Sequence, residues 1–218
     1  MKLKIEWTYK TPRNLTSVFV SDFMPIGEVM LLLEDMERTG RMKNYTLIGE
    51  HDSTWLLKEV KKYLKEMEEE PHDVTLFFDG GFMRDSKKSG LGFAIYYSQN
   101  GKNYRVRKNA LVDYLNSNNE AEYAALHLAV QELELLGVHH QSIVVKGDSQ
   151  NVIHQMQGEW PVYEEDLNEW ASKIDRLIEK LGLAVHYIHV PRQQNSEADQ
   201  LATQALNGVV YDGKIELT

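Results

Sequence analysis

The chain has 218 residues, of which 42% are apolar and 26% charged, and it contains no cysteine. Such a composition supports a folded core and excludes intrinsic disorder, disulfide bridges and thiolate metal sites. No apolar run reaches the roughly 18 residues of a membrane span, and acids and bases alternate at the start instead of forming a signal peptide, so we expect a cytoplasmic protein without membrane contact. The formal net charge of -9 argues against general binding of polyanions.

The first region, residues 1–70, is predicted to be a small α+β domain with the order β-β-α-β-α. Its predicted elements are strands at 3–9, 17–23 and 45–48, a helix from about Ile26 to Gly40, and a helix capped by Asp52 or Ser53. Residues 68–71 are typical of a linker. The charges of this region nearly cancel and no motif in it carries chemistry, so its role and any protein partner stay open.

The second region, residues 73–207, predicts an α/β fold: a mixed five-stranded sheet with helices on both faces. Its predicted strands are 74–78, 90–98, 104–110, 142–146 and 184–189, and its predicted helices are 119–136, 150–157, 164–181 and 196–206. The first three strands form a meander with a hairpin turn at Asn100-Gly101. Residues 208–218 are predicted to be a C-terminal extension that forms a short hairpin.

Two aspartates, Asp79 and Asp148, each follow a predicted strand. Asp79-Gly80 also suits a tight hairpin turn, and an aspartate before a helix is a common N-cap, so each residue taken alone fits a structural role better. Both, however, are expected where strands end, which is the edge at which ligands bind in open α/β sheets.

Two further acids, Glu122 and Asp199, lie in predicted helices. The apolar stripe of the first helix places Glu122 on the side that faces the sheet, whereas Glu120 is expected to project into solvent. A carboxylate that points at a sheet is costly unless a cation lies there. Asp199 also fits a capping box at 196–199, yet the alanines beside it allow the helix to approach the sheet closely.

Taken together, these four acids from four separate elements predict a metal site of oxygen ligands. Such ligands suit Mg²⁺ or Mn²⁺. A pair of these ions about 3.5 to 4 Å apart activates a water and stabilises the leaving oxygen in a displacement at phosphorus. The sequence therefore predicts metal-dependent cleavage of a phosphodiester.

Four segments occur in this order: Asp79-Gly80-Gly81, Asn118-Asn119-Glu120-Ala121-Glu122-Tyr123, Gly147-Asp148-Ser149 and Asn195-Ser196-Glu197-Ala198-Asp199-Gln200-Leu201-Ala202. Together they resemble type 1 ribonuclease H and its reverse-transcriptase-like relatives in the ribonuclease H superfamily. The resemblance implies that Asp79, Glu122, Asp148 and Asp199 hold two Mg²⁺ ions, with Mn²⁺ as a substitute. It also implies an endonuclease that hydrolyses the RNA strand of an RNA/DNA hybrid and leaves a 5′-phosphate and a 3′-hydroxyl.

Contacts to nucleic acid are also predicted. The resemblance implies that Asn118 and Asn119 contact the minor groove of the hybrid, where 2′-hydroxyls mark the RNA strand. Gly80 and Gly81 of the first segment, and Arg192 beside phosphate, are further predicted contacts.

The segment 84–108 has seven basic residues against one acid. A solvated surface and a nucleic-acid surface fit this run equally, and the position of Lys87 and Lys88 soon after Asp79 favours the second. The basic protrusion of some family members is replaced by an acidic segment at 158–166.

Two other functions remain open. The main alternative is a catalytically weak or inactive domain of the same shape that binds nucleic acid or protein. A DNA-cleaving exonuclease or resolvase fits less well, because the Asn118-Asn119 pair and the position of Glu122 resemble the hybrid-specific branch. Mutually repelling carboxylates have no physical reason to persist in a protein that cuts nothing, which favours the enzyme.

Overall fold

A computed structural model describes residues 1–40 and 42–218. They divide into two compact units, Met1–Glu66 and Met67–Thr218. Among the described residues, no helix is long and apolar enough to cross a membrane.

The first unit is an antiparallel sheet covered by helices. Its elements are β1 Lys2–Lys10, β2 Thr16–Val20, β3 Met24–Pro25, α1 Ile26–Arg38, β4 Met42–Gly49, β5 Thr54–Trp55 and α2 Leu57–Glu69. The sheet order is β2-β1-β4-β5, and β3 also pairs with β1. Leu3 and Ile5 alternate with polar residues along β1 and are fully buried, because one face of the strand packs on the core. Trp7, Trp55 and Tyr63 pack against the same core.

The second unit contains a six-stranded mixed sheet. Its elements are β6 His72–Met83, β7 Lys88–Gln99, β8 Lys102–Asp113, α3 Asn118–Leu136, β9 Ser142–Gly147, α4 Gln150–Met156, α5 Glu165–Leu181, β10 Ala184–His189, α6 Ser196–Leu206 and β11 Asp212–Leu217. The strand order is β10-β9-β6-β7-β8-β11. Strand β9 runs parallel to β6 and β10, whereas the other neighbours are antiparallel. The predicted mixed α/β fold is thereby confirmed.

Helices α3 and α6 approach the central strands on opposite faces through glycines. A Cβ at Gly80 would lie 2.2 Å from the backbone carbon of Ala121 in α3, and one at Gly92 would lie 2.4 Å from the backbone nitrogen of Ala202 in α6. Gly92 is paired with Asp79, and successive residues of a strand point to opposite faces, so Gly80 and Gly92 face opposite sides. The missing side chains let both helices touch the sheet.

Several predicted boundaries were wrong. Strand β6 continues through Asp79 to Met83, so the aspartate lies within a paired strand and not at a turn. The second helix begins at Leu57, because Thr54–Trp55 pairs with β4 before it.

The predicted linker and the predicted terminal hairpin also differ from the structure. The carbonyls of Glu68 and Glu69 accept hydrogen bonds from Asn100 and Gln99, which fixes the segment predicted to be a linker. The tail is a single strand, β11, that pairs with β8 as a sixth strand of the main sheet and forms no separate hairpin.

Candidate metal centre

Asp79 lies near the middle of the sheet and is only 8% exposed. The strand that carries it is central because β6 pairs with β7 on one side and with β9 on the other. Its parallel pairing with β9 ends at Phe77 opposite Lys146, so the two strands diverge at the level of Asp79. Asp148 directly follows β9, so each aspartate lies two residues beyond the last residue of its strand in this pairing.

Glu122 reaches Asp79 from the first turns of α3. Ser117 caps this helix by accepting a hydrogen bond from the backbone N–H of Glu120 at 3.1 Å. The close approach of α3 to Gly80 then places the Glu122 carboxylate, 6% exposed, beside the strand. The Glu122 side chain points toward the sheet, as predicted.

Three carboxylates converge at this point. One oxygen from each of Asp79, Glu122 and Asp148 lies within 4.8 Å of the other two. Oε2 of Glu122 is buried and accepts no hydrogen bond from the residues that the structure describes. A buried carboxylate oxygen without a donor is costly, so this oxygen fits a cation ligand.

The charges of the cluster shift its pKa values upward. Burial, followed by the negative charges of Asp148 and Asp199, raises the pKa of Asp79 from 3.8 to about 7. Burial, followed by the charges of Asp79 and Asp148, raises the pKa of Glu122 well above its usual value, although a hydrogen bond from the Gly80 N–H opposes the shift. At neutral pH the cluster therefore favours uptake of a proton or of a cation.

Asp199 lies in the same cleft but outside this group of three. Its Oδ1 accepts a hydrogen bond at 2.5 Å from Nη2 of Arg192, whose side chain is 77% exposed. The negative charge of Asp199 contributes to the raised pKa of Asp79, after burial and the charge of Asp148. The four predicted acids thus line one cleft, where oxygens of three lie within 4.8 Å of one another and the fourth acid is paired with an arginine.

The cleft around the acids is open and has a volume of about 430 Å³. Of the predicted nucleic-acid contacts, Gly80, Gly81, Asn118 and Arg192 line it. Asn119 is half-buried at the start of α3 and is not among the lining residues. Lys87 and Lys88 are exposed at the end of the β6–β7 hairpin and do not line the cleft either.

Glu120 corrects one prediction. Instead of projecting into solvent it is 8% exposed. One carboxylate oxygen accepts a hydrogen bond from the backbone N–H of Asn116 at 2.7 Å, and the other accepts one from Nε1 of Trp170 at 3.2 Å. Trp170 belongs to α5, which lies far along the chain, so the stripe of α3 alone did not indicate this partner.

Two of the structural roles considered for the aspartates are absent. The N-cap of α4 is Ser149 and not Asp148. The N-cap of α6 is Asn195, without a side-chain capping bond, so Asp199 belongs to no capping box. Helix capping therefore explains neither Asp148 nor Asp199.

The donor set fits a hard divalent cation. All the groups that converge are carboxylates, which are the ligands that Mg²⁺ and Mn²⁺ prefer, and their mutual repulsion is relieved by a bound positive charge. Asp79, Glu122 and Asp148 are the residues that would hold such an ion, and Asp199 lies beside them.

Comparison with known proteins agrees with this site. The family model described as reverse transcriptase-like matches residues 77–205, a range that includes all four acids. The chain belongs to this family.

Three proteins show the extent of the similarity. The uncharacterized protein YpeP of Bacillus subtilis is 41% identical over 191 residues, which is 88% of this chain and 84% of that protein. Ribonuclease HI of Halobacterium salinarum is 30% identical over 135 residues, covering 62% of this chain and 64% of the enzyme. The solved structure of LC11-RNase H1 in complex with an RNA/DNA hybrid matches with a TM-score of 0.56 and 28% identity, over 62% of this chain and 98% of that one.

The similarity to YpeP extends beyond the length of the ribonuclease H domain, because 191 matched residues exceed the 152 of the second unit. The predicted membership of the type 1 ribonuclease H and reverse-transcriptase-like family is confirmed. The predicted class, an enzyme of the ribonuclease H type, is confirmed with it.

Proposed function

We propose that this protein is a divalent-metal-dependent endoribonuclease that hydrolyses the RNA strand of RNA/DNA hybrids and leaves a 5′-phosphate and a 3′-hydroxyl. The observation that carries the proposal is the convergence of Asp79, Glu122 and Asp148 in one open cleft. The relatives named as ribonucleases H, and the neighbour crystallised with an RNA/DNA hybrid, support the choice of substrate.

The acids have the role of metal ligands. Asp79, Glu122 and Asp148 would hold metal together, and Asp199 beside them would complete a set of four acids for two ions. When bound, Mg²⁺ or Mn²⁺ supplies a polarised phosphate and an activated water for in-line displacement. The raised pKa values of Asp79 and Glu122 mean that protons compete for the same oxygens, so metal affinity increases with pH.

Other residues of the cleft would bind and orient the substrate. The Asn118 side chain is exposed beside the acids and offers both a donor and an acceptor to a 2′-hydroxyl. The Arg192 guanidinium carries donors at the cleft, suited to a phosphate oxygen. Lys87 and Lys88 at the hairpin end add positive charge for the flanking backbone.

The test is a cleavage assay with labelled RNA/DNA hybrid, duplex RNA, duplex DNA and single strands, each with Mg²⁺, Mn²⁺ or chelator. We expect that the RNA/DNA hybrid is the only one of these substrates that is cleaved, and that its cleavage requires Mg²⁺ or Mn²⁺. Asp79→Asn and Asp148→Asn should each lower the rate by at least ~100-fold, because each removes a charged ligand. A product whose 5′ end accepts a new label only after phosphatase treatment carries the expected 5′-phosphate.

Helix α3 provides a matched control. Glu122→Gln and Glu132→Gln each neutralise a buried acid of this helix, but Glu132 pairs with Lys108 at 3.0 Å outside the cleft. Only Glu122→Gln should abolish cleavage. A protein that binds the hybrid equally well with or without these substitutions, and never cuts it, would instead be the inactive binding module.

A further inference from the structure

Asn195 is a buried asparagine that connects the elements carrying the acids. It is 1% exposed and immediately precedes α6, the helix of Asp199. Its Nδ2 donates a hydrogen bond of 2.9 Å to the backbone carbonyl of Phe78, the residue before Asp79. The same nitrogen donates a hydrogen bond of 2.6 Å to Oδ1 of Asp148. One amide group therefore joins the central strand, the residue after β9 and the start of α6.

The orientation of this amide follows from its partners. Both neighbours of Nδ2 are acceptors, so a reversed amide would place Oδ1 against a carbonyl and a carboxylate. In the observed orientation Oδ1 is buried and has no hydrogen-bond partner among the described residues. An unpaired buried carbonyl is unfavourable, and the arrangement is kept because both amide protons are used.

Asp148 needs such a restraint. It is half-exposed and faces two other carboxylates, so electrostatic repulsion favours rotation of its side chain toward solvent. A neutral donor holds one of its oxygens without cancelling its charge. The other oxygen remains available to a cation.

We propose that Asn195 is a positioning residue that keeps Asp148 beside Asp79 and fixes the start of α6, so that the acids are arranged before a divalent ion binds. Asn195 acts through Asp148 and contacts no substrate. The inference rests on the proposed metal-dependent function. Ligands that are held in place by hydrogen bonds bind a metal more tightly than ligands that must first be ordered.

The test compares Asn195→Ala with Asn109→Ala in the full-length protein. Asn109 is also a buried asparagine, 8% exposed, whose Nδ2 donates to two carbonyls, those of Leu201 and Val209, both at 2.9 Å. The two asparagines are matched for burial and for the number of donated hydrogen bonds, but the Asn109 amide donates to none of the four acids. Mn²⁺ binding to the substrate-free protein is measured by calorimetry, and thermal melting in chelator reports stability.

We expect both variants to melt at a lower temperature than the unmodified protein. Only Asn195→Ala should weaken Mn²⁺ binding, by ~10-fold or more, as is usual when a residue that orients a ligand is removed. The Mg²⁺ concentration for half-maximal cleavage should rise by a similar factor, with an unchanged KM for the hybrid at saturating Mg²⁺. If Asn195→Ala does not fold, Asn195→Ser, which keeps one donor, should show the same change with a smaller size.

The two proposals fail in different ways. Asn195 variants that bind Mn²⁺ as the unmodified protein does, or no worse than Asn109→Ala, would reduce Asn195 to a structural role while leaving the nuclease in place. An unmodified protein that binds no Mn²⁺ and cuts no hybrid would overturn both the nuclease and the positioning role.

Discussion

At the scale of single residues, the carboxylates of the acidic cluster repel one another when no metal is bound. Asp79 and Glu122 are nearly buried, and each has a raised pKa because of burial and neighbouring charge. Ionisable groups with shifted pKa values are frequent at functional sites, where binding of a ligand removes the unfavourable energy. The cluster should therefore reduce the stability of the folded protein when neither a proton nor a metal is bound.

The pH dependence of stability tests this directly. The pKa of Asp79 is raised from 3.8 to about 7 in the folded protein, so its contribution to stability is fully present below the unfolded value and is lost as the pH rises through 7. Asp79→Asn removes this loss. In chelator at pH 8 we expect the variant to be more stable than the unmodified protein, by at most ~4 kcal/mol since one pKa unit corresponds to about 1.4 kcal/mol.

Thermal melting between pH 5 and pH 8 measures the effect. The advantage of Asp79→Asn should shrink toward pH 5, and Mg²⁺ should stabilise only the unmodified protein. Asp85→Asn, at an exposed position outside the cleft, serves as the control and should follow the unmodified protein at every pH. A variant that melts below the unmodified protein at pH 8 in chelator would contradict the assignment.

At the scale of elements, glycines of the central strands determine how closely the acid-bearing helices approach. A Cβ at Gly92 would meet backbone atoms of α6, with Ala198 O at 2.5 Å and Ala202 N at 2.4 Å. Backbone atoms cannot rotate away as a flexible side chain can, so the helix would have to shift. Asp199 in the first turns of α6, and Asn195 immediately before the helix, would shift with it.

Gly92→Ala should therefore lower both stability and cleavage. We expect a loss of ~1–3 kcal/mol or more in the free energy of unfolding, which is typical when extra atoms enter a packed interface. Urea denaturation measures the loss. Gly81→Ala is the comparison, because the nearest atom to its Cβ is the side-chain Cδ1 of Leu206 at 3.1 Å, and its cost should be clearly smaller. Equal losses of unfolding free energy in Gly92→Ala and Gly81→Ala would show that the close approach of α6 to Gly92 does not determine the stability.

At the scale of the whole molecule, all the residues that line the candidate metal centre belong to the second unit. The core of the second unit, which surrounds Phe78, Tyr123 and Ile153, is formed by residues of this unit alone. The first unit has a separate core around Leu3, Ile5 and Val60. Each unit thus buries its own apolar surface, which is the requirement for independent folding.

Residues 67–218 alone are expected to fold cooperatively and to bind Mn²⁺ with the affinity of the full chain. All four acids, Asn195 and the glycines beneath the helices lie in this part, so nothing that shapes the cleft is removed. Thermal melting and calorimetry on the fragment measure the two properties. A fragment that stays unfolded, or that folds but binds Mn²⁺ much more weakly, would show that the first unit contributes to the site.

Local patterns in the sequence were sufficient for much of the fold. The alternation of apolar and polar residues predicted the strand that contains Leu3 and Ile5. The apolar stripe of α3 predicted that Glu122 points at the sheet. Both features depend on neighbours within a few positions, which the periodicity of a helix or strand reveals. The Asp79-Gly80 pair also fitted a hairpin turn, and this local interpretation was wrong. Glycine is favoured in a tight turn, but it is equally favoured in a strand that a helix approaches closely.

The sequence by itself determined the mixed α/β class, the family and the four acids that line one cleft, since these follow from periodicity and from short segments in a given order. Only the tertiary structure decided that three carboxylates converge while Asp199 pairs with Arg192, that Glu120 is buried against Trp170, and that β11 joins the main sheet. It alone also showed that the amide of Asn195 connects Phe78 to Asp148. These features depend on contacts between residues far apart in the chain, whose partners are fixed by packing and hydrogen-bond satisfaction of the whole domain and leave no periodic trace in either segment.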